Sequence, residues 1–373
     1  MNTFSPSPFK VFTYRGYRTA SFINRLNRFI SEVEIDGEIE KVYVPNTGRL
    51  SELAIPGNTV LLEEYEGRYR YKMKYIIHRD FPVMINSSYS NRLFEEILKN
   101  SKLSPFSEYS FMRSEPTHGS HRFDFLVEKN DEKKYIELKS CTLGYKNVAS
   151  FPDAISERAS KHIVTLSDIE NSTIIFLILL DKIDIFIPNY HTDFAFYENL
   201  KKYRYKIDIR AYSVRYDRNL SIKSLKEVPV LIPEVKPSGI YTIVLHNSKD
   251  QAIDVGALGK IYFPKGYYVY CGSARNSLFK RIAHHRKKNR KFHWHMDYIK
   301  HHMKIIADTP IVTESVSECE LASSINNFAD SQIDKFGSTD CKCRSHLYFF
   351  ENNPVQTDIF WETILNFRFN KYT

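Results

Sequence analysis

The sequence predicts a multidomain α+β protein of three consecutive units, and three observations predict it. Short alternating segments with hairpin turns occupy residues 1–84. A mixed helix and strand pattern around the wholly apolar run "TIIFLILL" (173–180) occupies 85–232. The aperiodic, three-proline segment "VPVLIPEVKPSG" (228–239) reads as a linker into a third unit, 233–373, with a basic charge pattern of its own. A chain of 373 residues also exceeds one ordinary core.

In the first unit "FISEVEIDGEIEKVYV" turns at Asp36-Gly37 and "VLLEEYEGRYRYKMKYII" at Glu66-Gly67. About five such strands close most simply into an OB-like barrel, which removes exposed edges. The polar loop "PNTGRLSELAIPG" lies between the hairpins. In the second unit "SNRLFEEILKN" has helical spacing behind a serine cap, and "FPDAISERASKHIVTLSDI" reads as a helix with Pro152 near its first turn. "STIIFLILL", "KIDIFI" and "KIDIRAYSV" are buried strands of an α/β layer. In the third unit "SGIYTIVL" and "GYYVY" alternate as strands, and Gly272-Ser273 turns into a helix.

A net charge of +9 favours a polyanionic partner, nucleic acid above all. The longest apolar run is too short to span a membrane, the opening "MNTFSPSPFKVF" lacks a signal-peptide core, and five cysteines without paired spacing suit a reducing compartment, so the expected location is cytoplasmic. No G-x-G-x-x-G or G-x-x-x-x-G-K-S loop is present, which argues against an enzyme built on such a cofactor loop. Oligomeric state leaves no sequence signal.

The hairpin "HRFDFLVEKNDEKKYIELKSCTL" (121–143) carries three charges inside apolar strands. Strand alternation places Phe123, Phe125 and Val127 on one face and Asp124 on the other, while Glu137 and Lys139 point away from Ile136 and Leu138. A two-residue turn at Asn130-Asp131 sets Asp124 across from Glu137. Two readings fit: an exposed face with a surface ion pair, or two acids holding a divalent cation with a lysine beside them.

Four motifs in order, "VPNTGRL" (44–50), "RFDF" (122–125), "IELKSCTL" (136–143) and "FPDAISERASKH" (151–162), resemble the SfsA (sugar fermentation stimulation protein) family over roughly residues 10–230. The resemblance implies an OB-like domain followed by a PD-(D/E)XK nuclease-like domain and association with DNA. It assigns Asp124, Glu137 and Lys139 to the D…ExK catalytic set, with Asp124 and Glu137 as ligands of Mg2+ or Mn2+. Glu115 is a further candidate acid, against an exposed loop glutamate. Arg158, Lys161 and His162 share a helical face that suits phosphate contact or plain solvation. Asn46 and Arg49 are candidate nucleic-acid contacts, against side chains that cap their own turn. The family's usual cysteine before Pro-Asn-Thr-Gly is Val44 here.

In the third unit, 280–291 ("KRIAHHRKKNRK") holds seven Lys/Arg and no acid, so His285, Arg286, Lys287 and Lys288 are candidate nucleic-acid contacts, against a solvated basic segment. "GIY" and "YVYCGSA" followed by Arg281, with "HWHMDY" (293–298) and "FGSTDCKCRSHL" (336–347), resemble the GIY-YIG nuclease superfamily and more closely an uncharacterised branch of it. That resemblance implies Tyr241 or Tyr270 for water activation, Arg281 for the phosphate and Glu318 for a metal. The bland alternative for either tyrosine is strand packing. Ser317 and Glu320 form a capping-box pattern, so Glu320 is expected to be structural. Cys341, Cys343 and His346, joined by Cys319 or a neighbouring histidine, fit either Zn2+ ligands or buried thiols and a core histidine.

The expectation is a nucleic-acid-binding, metal-dependent nuclease with DNA favoured over RNA. The alternative is a non-catalytic DNA-binding regulatory protein on nuclease folds.

Overall fold

The computed structural model describes residues 16–79, 81–100, 103–287 and 292–373. Strands Arg18–Asn27, Ile30–Ile35, Glu38–Tyr43, Thr59–Glu64 and Tyr71–His78 form the N-terminal barrel. It closes where Tyr43 meets Lys72 in parallel. Asp36 and Gly37 both adopt positive φ (53° and 88°), as a tight hairpin following the strand twist requires. Val33, Val42, Val60, Leu62 and Met73 fill the barrel interior. A sixth strand, Phe81–Met84, pairs with the fifth and carries the chain onward.

The central unit is a six-stranded sheet. Glu132–Cys141, Ser172–Ile178 and Asp208–Tyr216 run parallel at its middle, with antiparallel strands on both sides. Ser172–Ile178 is buried along its whole length, which explains its unbroken apolar pattern. Helices Glu157–Ser167 and Phe194–Tyr203 cover one face through Ala159, Ile163, Leu166, Phe196 and Leu200. The other face takes Phe94 and Leu98 of helix Ser87–Lys99, together with Leu61 and Tyr75 of the barrel, so the first two units share a core.

Both predicted helix starts move. Ser87–Lys99 begins before Ser90, because the side chain of Asn86 accepts from the Tyr89 amide at 3.2 Å and leaves Ser90 buried inside the helix. Pro152 lies ahead of helix Glu157–Ser167 rather than in its first turn. Ser156 is the cap, accepting from Ala159 N at 3.2 Å, while the Pro152 carbonyl accepts from Asn189 at 2.8 Å.

The C-terminal unit is a five-stranded antiparallel sheet in the order Lys304–Val312, Gly239–Asn247, Gly266–Ala274, Leu347–Phe350, Ser331–Gln332. Helices Leu278–Arg286, Glu318–Asn326 and Asp358–Phe369 pack against it. The proline-bearing segment before it is docked rather than loose. Leu231 N donates to Phe186 O at 2.9 Å, Tyr197 Oη donates to Pro233 O at 2.6 Å, and Ile232 and Val235 pack on the cores. One apolar cluster joins Tyr145, Tyr190 and Tyr197 of the central unit to Tyr241, Leu278, Leu365 and Phe369 of the C-terminal one.

Candidate functional site

The hairpin register follows from its turn. Lys129 stands opposite Glu132 and Phe125 opposite Ile136, with Asn130 and Asp131 both at positive φ. One position before Phe125 the chain bends away. The side chain of Asp124 then takes up hydrogen bonds itself: Oδ2 accepts from Leu138 N at 2.7 Å, and Oδ1 from Asn91 Nδ2 at 2.9 Å. The bend overturns one expectation. Phe123 does not share the face of Phe125 and Val127 but packs on the opposite layer, its ring 5.9 Å from Tyr135 and 5.8 Å from His162.

Glu137 is buried in the second strand of the hairpin. Its Oε1 meets both Lys139 Nζ and His162 Nδ1, while Oε2 has no hydrogen-bond partner among the described residues. Burial raises the Asp124 carboxyl to about 6, and the neighbouring Glu137 charge adds to the rise against the Leu138 amide, Lys139 and Asn91. Burial also pushes Glu137 upward, but His162 and Lys139 outweigh it and hold that carboxyl below its usual range. Two close carboxylates, one with an orphaned buried oxygen, suit a hard divalent cation.

The remaining predicted residues separate. Glu115 is joined to Asp124 through the backbone at 2.9 Å, yet its exposed carboxylate pairs with Arg122 at 3.2 Å. Arg158 and Lys161 are exposed on helix Glu157–Ser167. His162, expected to meet phosphate, is instead buried against Glu137, because its turn of the helix faces the sheet. Asn46 follows the self-capping alternative: Oδ1 accepts from Gly48 N at 2.7 Å and Nδ2 donates to Ile85 O at 2.9 Å. The same loop is gripped by Arg25, which donates to the carbonyls of Asn46, Gly48 and Arg49. Arg49 is exposed and, with Asp153, Arg286 and Arg368, lines a cavity of about 390 Å³ where all three units meet.

In the C-terminal unit Tyr241 pairs with Gly272, which sets Tyr270 diagonally across the ladder, and the two rings lie 6.3 Å apart. A side chain at Gly272 would strike Tyr241, since a Cβ there would lie 2.6 Å from its ring. The long stretch between the tyrosines is spent on a separate hairpin, Gln251–Asp254 with Lys260–Phe263, and leaves the pairing intact. Tyr241 Oη lies 2.8 Å from His285 Nε2. His285 is therefore buried beside the tyrosines rather than presented to a nucleic acid, and burial above all lowers it to about 4. Burial keeps both tyrosine hydroxyls well above their ordinary range, Glu318 adding to each. Arg281 stacks over Trp294 at 4.3 Å, and Glu318 opens helix Glu318–Asn326. Glu320 closes the capping box with Ser317, as its spacing predicts. Arg286 pairs with Asp308, Lys287 is exposed at the helix end, and Lys288 lies outside the described residues. Cys341, Cys343 and His346 are gathered with Cys319, their ligand atoms all within 4.8 Å of one another.

Sequence reasoning missed Asn91, Arg25 and the supporting roles of His162 and His285. His162 and His285 stood in recognised motifs, but nothing in the pattern distinguished a buried partner from a surface contact. Asn91 and Arg25 act on residues 33 and 21–24 positions away within their own units and carry no local signal.

Comparison with known proteins places three family models along the chain. They are the SfsA N-terminal OB domain over 23–85, the sugar fermentation stimulation protein RE domain over 88–219, and the domain of unknown function DUF123 over 240–367, the GIY-YIG-like unit. A sugar fermentation stimulation protein homolog of Clostridium botulinum (strain Langeland) is 41% identical over 202 residues, 52% of this chain and 88% of the relative. A homolog from Clostridium tetani is 37% identical over 228 residues, 58% of this chain and 98% of that one. The solved structure of Pyrococcus furiosus SfsA in complex with Ca2+ is 27% identical and superposes with a TM-score of 0.55 over 60% of this chain and all of that one.

Proposed function

The chain belongs to the sugar fermentation stimulation protein family, and on that premise we propose that it is a nucleic-acid-binding, divalent-metal-dependent nuclease, with DNA favoured over RNA. The units divide at 84/85 and 232/233 in this reading, and the cytoplasm is its place of action. The observation that carries it is the pair Asp124 and Glu137, two half-buried to buried carboxylates with one oxygen left unpartnered. The Ca2+ complex of the Pyrococcus furiosus relative supports a hard cation in this family.

Asp124 and Glu137 would hold Mg2+ or Mn2+, with Glu115 reaching the site by a side-chain rotation away from Arg122. When bound, the ion polarises a phosphate and makes a coordinated water more acidic. Lys139, on the same strand face as Glu137, supplies the positive charge that stabilises a phosphoryl oxygen. His162 fixes the Glu137 carboxylate and leaves its second oxygen free for the ion. Arg49, Arg158, Lys161, Arg286 and Lys287 offer exposed cations for the backbone. At the C-terminal centre Arg281 would bind phosphate, Glu318 would take an ion, and Tyr241, held by its hydrogen bond to the neutral His285, or Tyr270 in its place, would orient the attacking water.

The test is incubation of the purified chain with single-stranded, duplex and branched DNA and with RNA, plus Mg2+ or Mn2+. Asp124→Ala and Arg281→Ala serve singly and together. Cleavage that depends on the ion and is lost in the double variant supports the reading; products unaffected by both changes sink it. Binding without cleavage, with no divalent ion taken up near Asp124, establishes instead the DNA-binding regulatory reading.

A further inference from the structure

We propose that Cys319, Cys341, Cys343 and His346 form a closed structural zinc site that staples the 337–346 loop to the N-terminus of helix Glu318–Asn326. Cys319 Sγ lies 3.8 Å from His346 Nε2, and Cys341 Sγ lies 3.5 Å from the same atom. A tetrahedral zinc with bonds of about 2.3 Å to sulfur and about 2.0 Å to nitrogen spaces its ligands about 3.5–3.8 Å apart. Both distances match that spacing, and the four ligand atoms, all within 4.8 Å of one another, come from two backbone segments, the helix start and the loop. Four protein ligands fill the tetrahedron, which marks a structural rather than a catalytic zinc. Three thiolates and an imidazole also select zinc over the hard cations that suit Asp124 and Glu137.

A second observation points the same way. Residues 337–346 contain no helix or strand, and no backbone–backbone hydrogen bond among the described residues involves positions 338–343. Among the described residues the loop is fastened near its ends, by Lys335 N to Arg344 O at 2.8 Å, His346 N to Phe336 O at 2.8 Å, Gly337 N to His295 Nδ1 at 3.0 Å, Arg344 Nε to Asp334 Oδ1 at 2.9 Å and Ser345 Oγ to Ile333 O at 2.5 Å. A stretch with so little regular bonding needs another constraint to keep one conformation, and the two cysteines within it provide one.

The site also bears on the chemistry beside it. Glu318 immediately precedes Cys319 in the first helical turn, and His346 O accepts from Cys271 N at 2.9 Å, next to Tyr270. Zinc would thus fix the carboxylate of Glu318 relative to the two tyrosines. This positioning step rests on the C-terminal reading proposed above; the zinc site does not.

The experiment uses the full chain, purified under reducing conditions without chelator. Elemental analysis is expected to give about one zinc per chain, lost in the Cys341→Ser/Cys343→Ser double variant and kept in Cys141→Ser and Asp124→Asn. Cobalt substituted into the unaltered chain is expected to show thiolate-to-cobalt charge transfer and tetrahedral d–d bands, a readout that survives misfolding of the variant. No stoichiometric zinc after reconstitution, zinc retained by the double variant, or a disulfide in place of the metal overturns the site. On an Asp124→Asn background, loss of the zinc ligands is expected to weaken Mn2+ binding at the C-terminal centre about tenfold or more. Unchanged Mn2+ binding overturns the positioning of Glu318.

Discussion

The Asp153 carboxylate accepts a 3.0 Å hydrogen bond from the amide of Leu50, 103 positions earlier in the chain. Two motifs that are far apart in sequence, "PNTGRL" and "FPDA", thereby meet where the barrel touches the central unit. Gly48 is required there, because a Cβ would lie 2.4 Å from Asp153 Oδ2. Asp153→Ala is expected to lower unfolding free energy by about 1–3 kcal/mol, with Gly48→Ala acting in the same direction. Urea denaturation of both single variants and the double is the check: a coupled contact predicts a double cost well short of the sum.

The raised Asp124 carboxyl predicts a pH dependence of ion binding. Its folded value of about 6 means that the proton competes with a divalent cation as pH falls through that point. Mn2+ affinity is expected to drop about tenfold for each pH unit below 6 and to level off above it. Calorimetric titration across that range measures the slope, and a flat profile would place the ion elsewhere.

His162 is expected to act through Glu137. His162→Ala leaves the buried carboxylate without one of its partners and is predicted to weaken divalent binding or turnover about 10–100-fold. His162→Asn, whose amide can stand near the position of Nδ1, should restore part of the loss. A purely structural histidine would give a melting-temperature change with ion affinity intact.

Glu52 is buried with Oε1 unpartnered among the described residues, and burial, helped by Asp153, raises its carboxyl to about 8. A folded value above the unfolded one means that stability is full at low pH and falls as pH rises toward 8. Glu52→Gln is expected to remove that fall, so its melting temperature should gain on the parent between about pH 5 and about pH 8. Equal differences at both ends would show that the carboxyl titrates normally.

Local pattern was enough for much of the architecture. Hairpin turns at Asp36-Gly37 and Asn130-Asp131 fixed strand register, and alternation put Glu137 and Lys139 together. Alternation failed at Phe123, where a side chain accepting from a main-chain amide bends the strand, a tertiary effect no window of sequence contains. Charge also misled at His162 and His285. Each lies on a helix beside exposed cations, and only the packed sheet decides which turn faces inward.

The docked 230–235 segment and the shared Tyr145–Phe369 core have a further consequence. A tether would let the two proposed centres search a strand independently, whereas this junction would make them jaws of a single caliper. Whatever polymer engages both must present its two contact points at one span and one mutual angle. On the nuclease reading proposed above, substrate choice would be a matter of measured length and bend, set by the docked joint as much as by either centre.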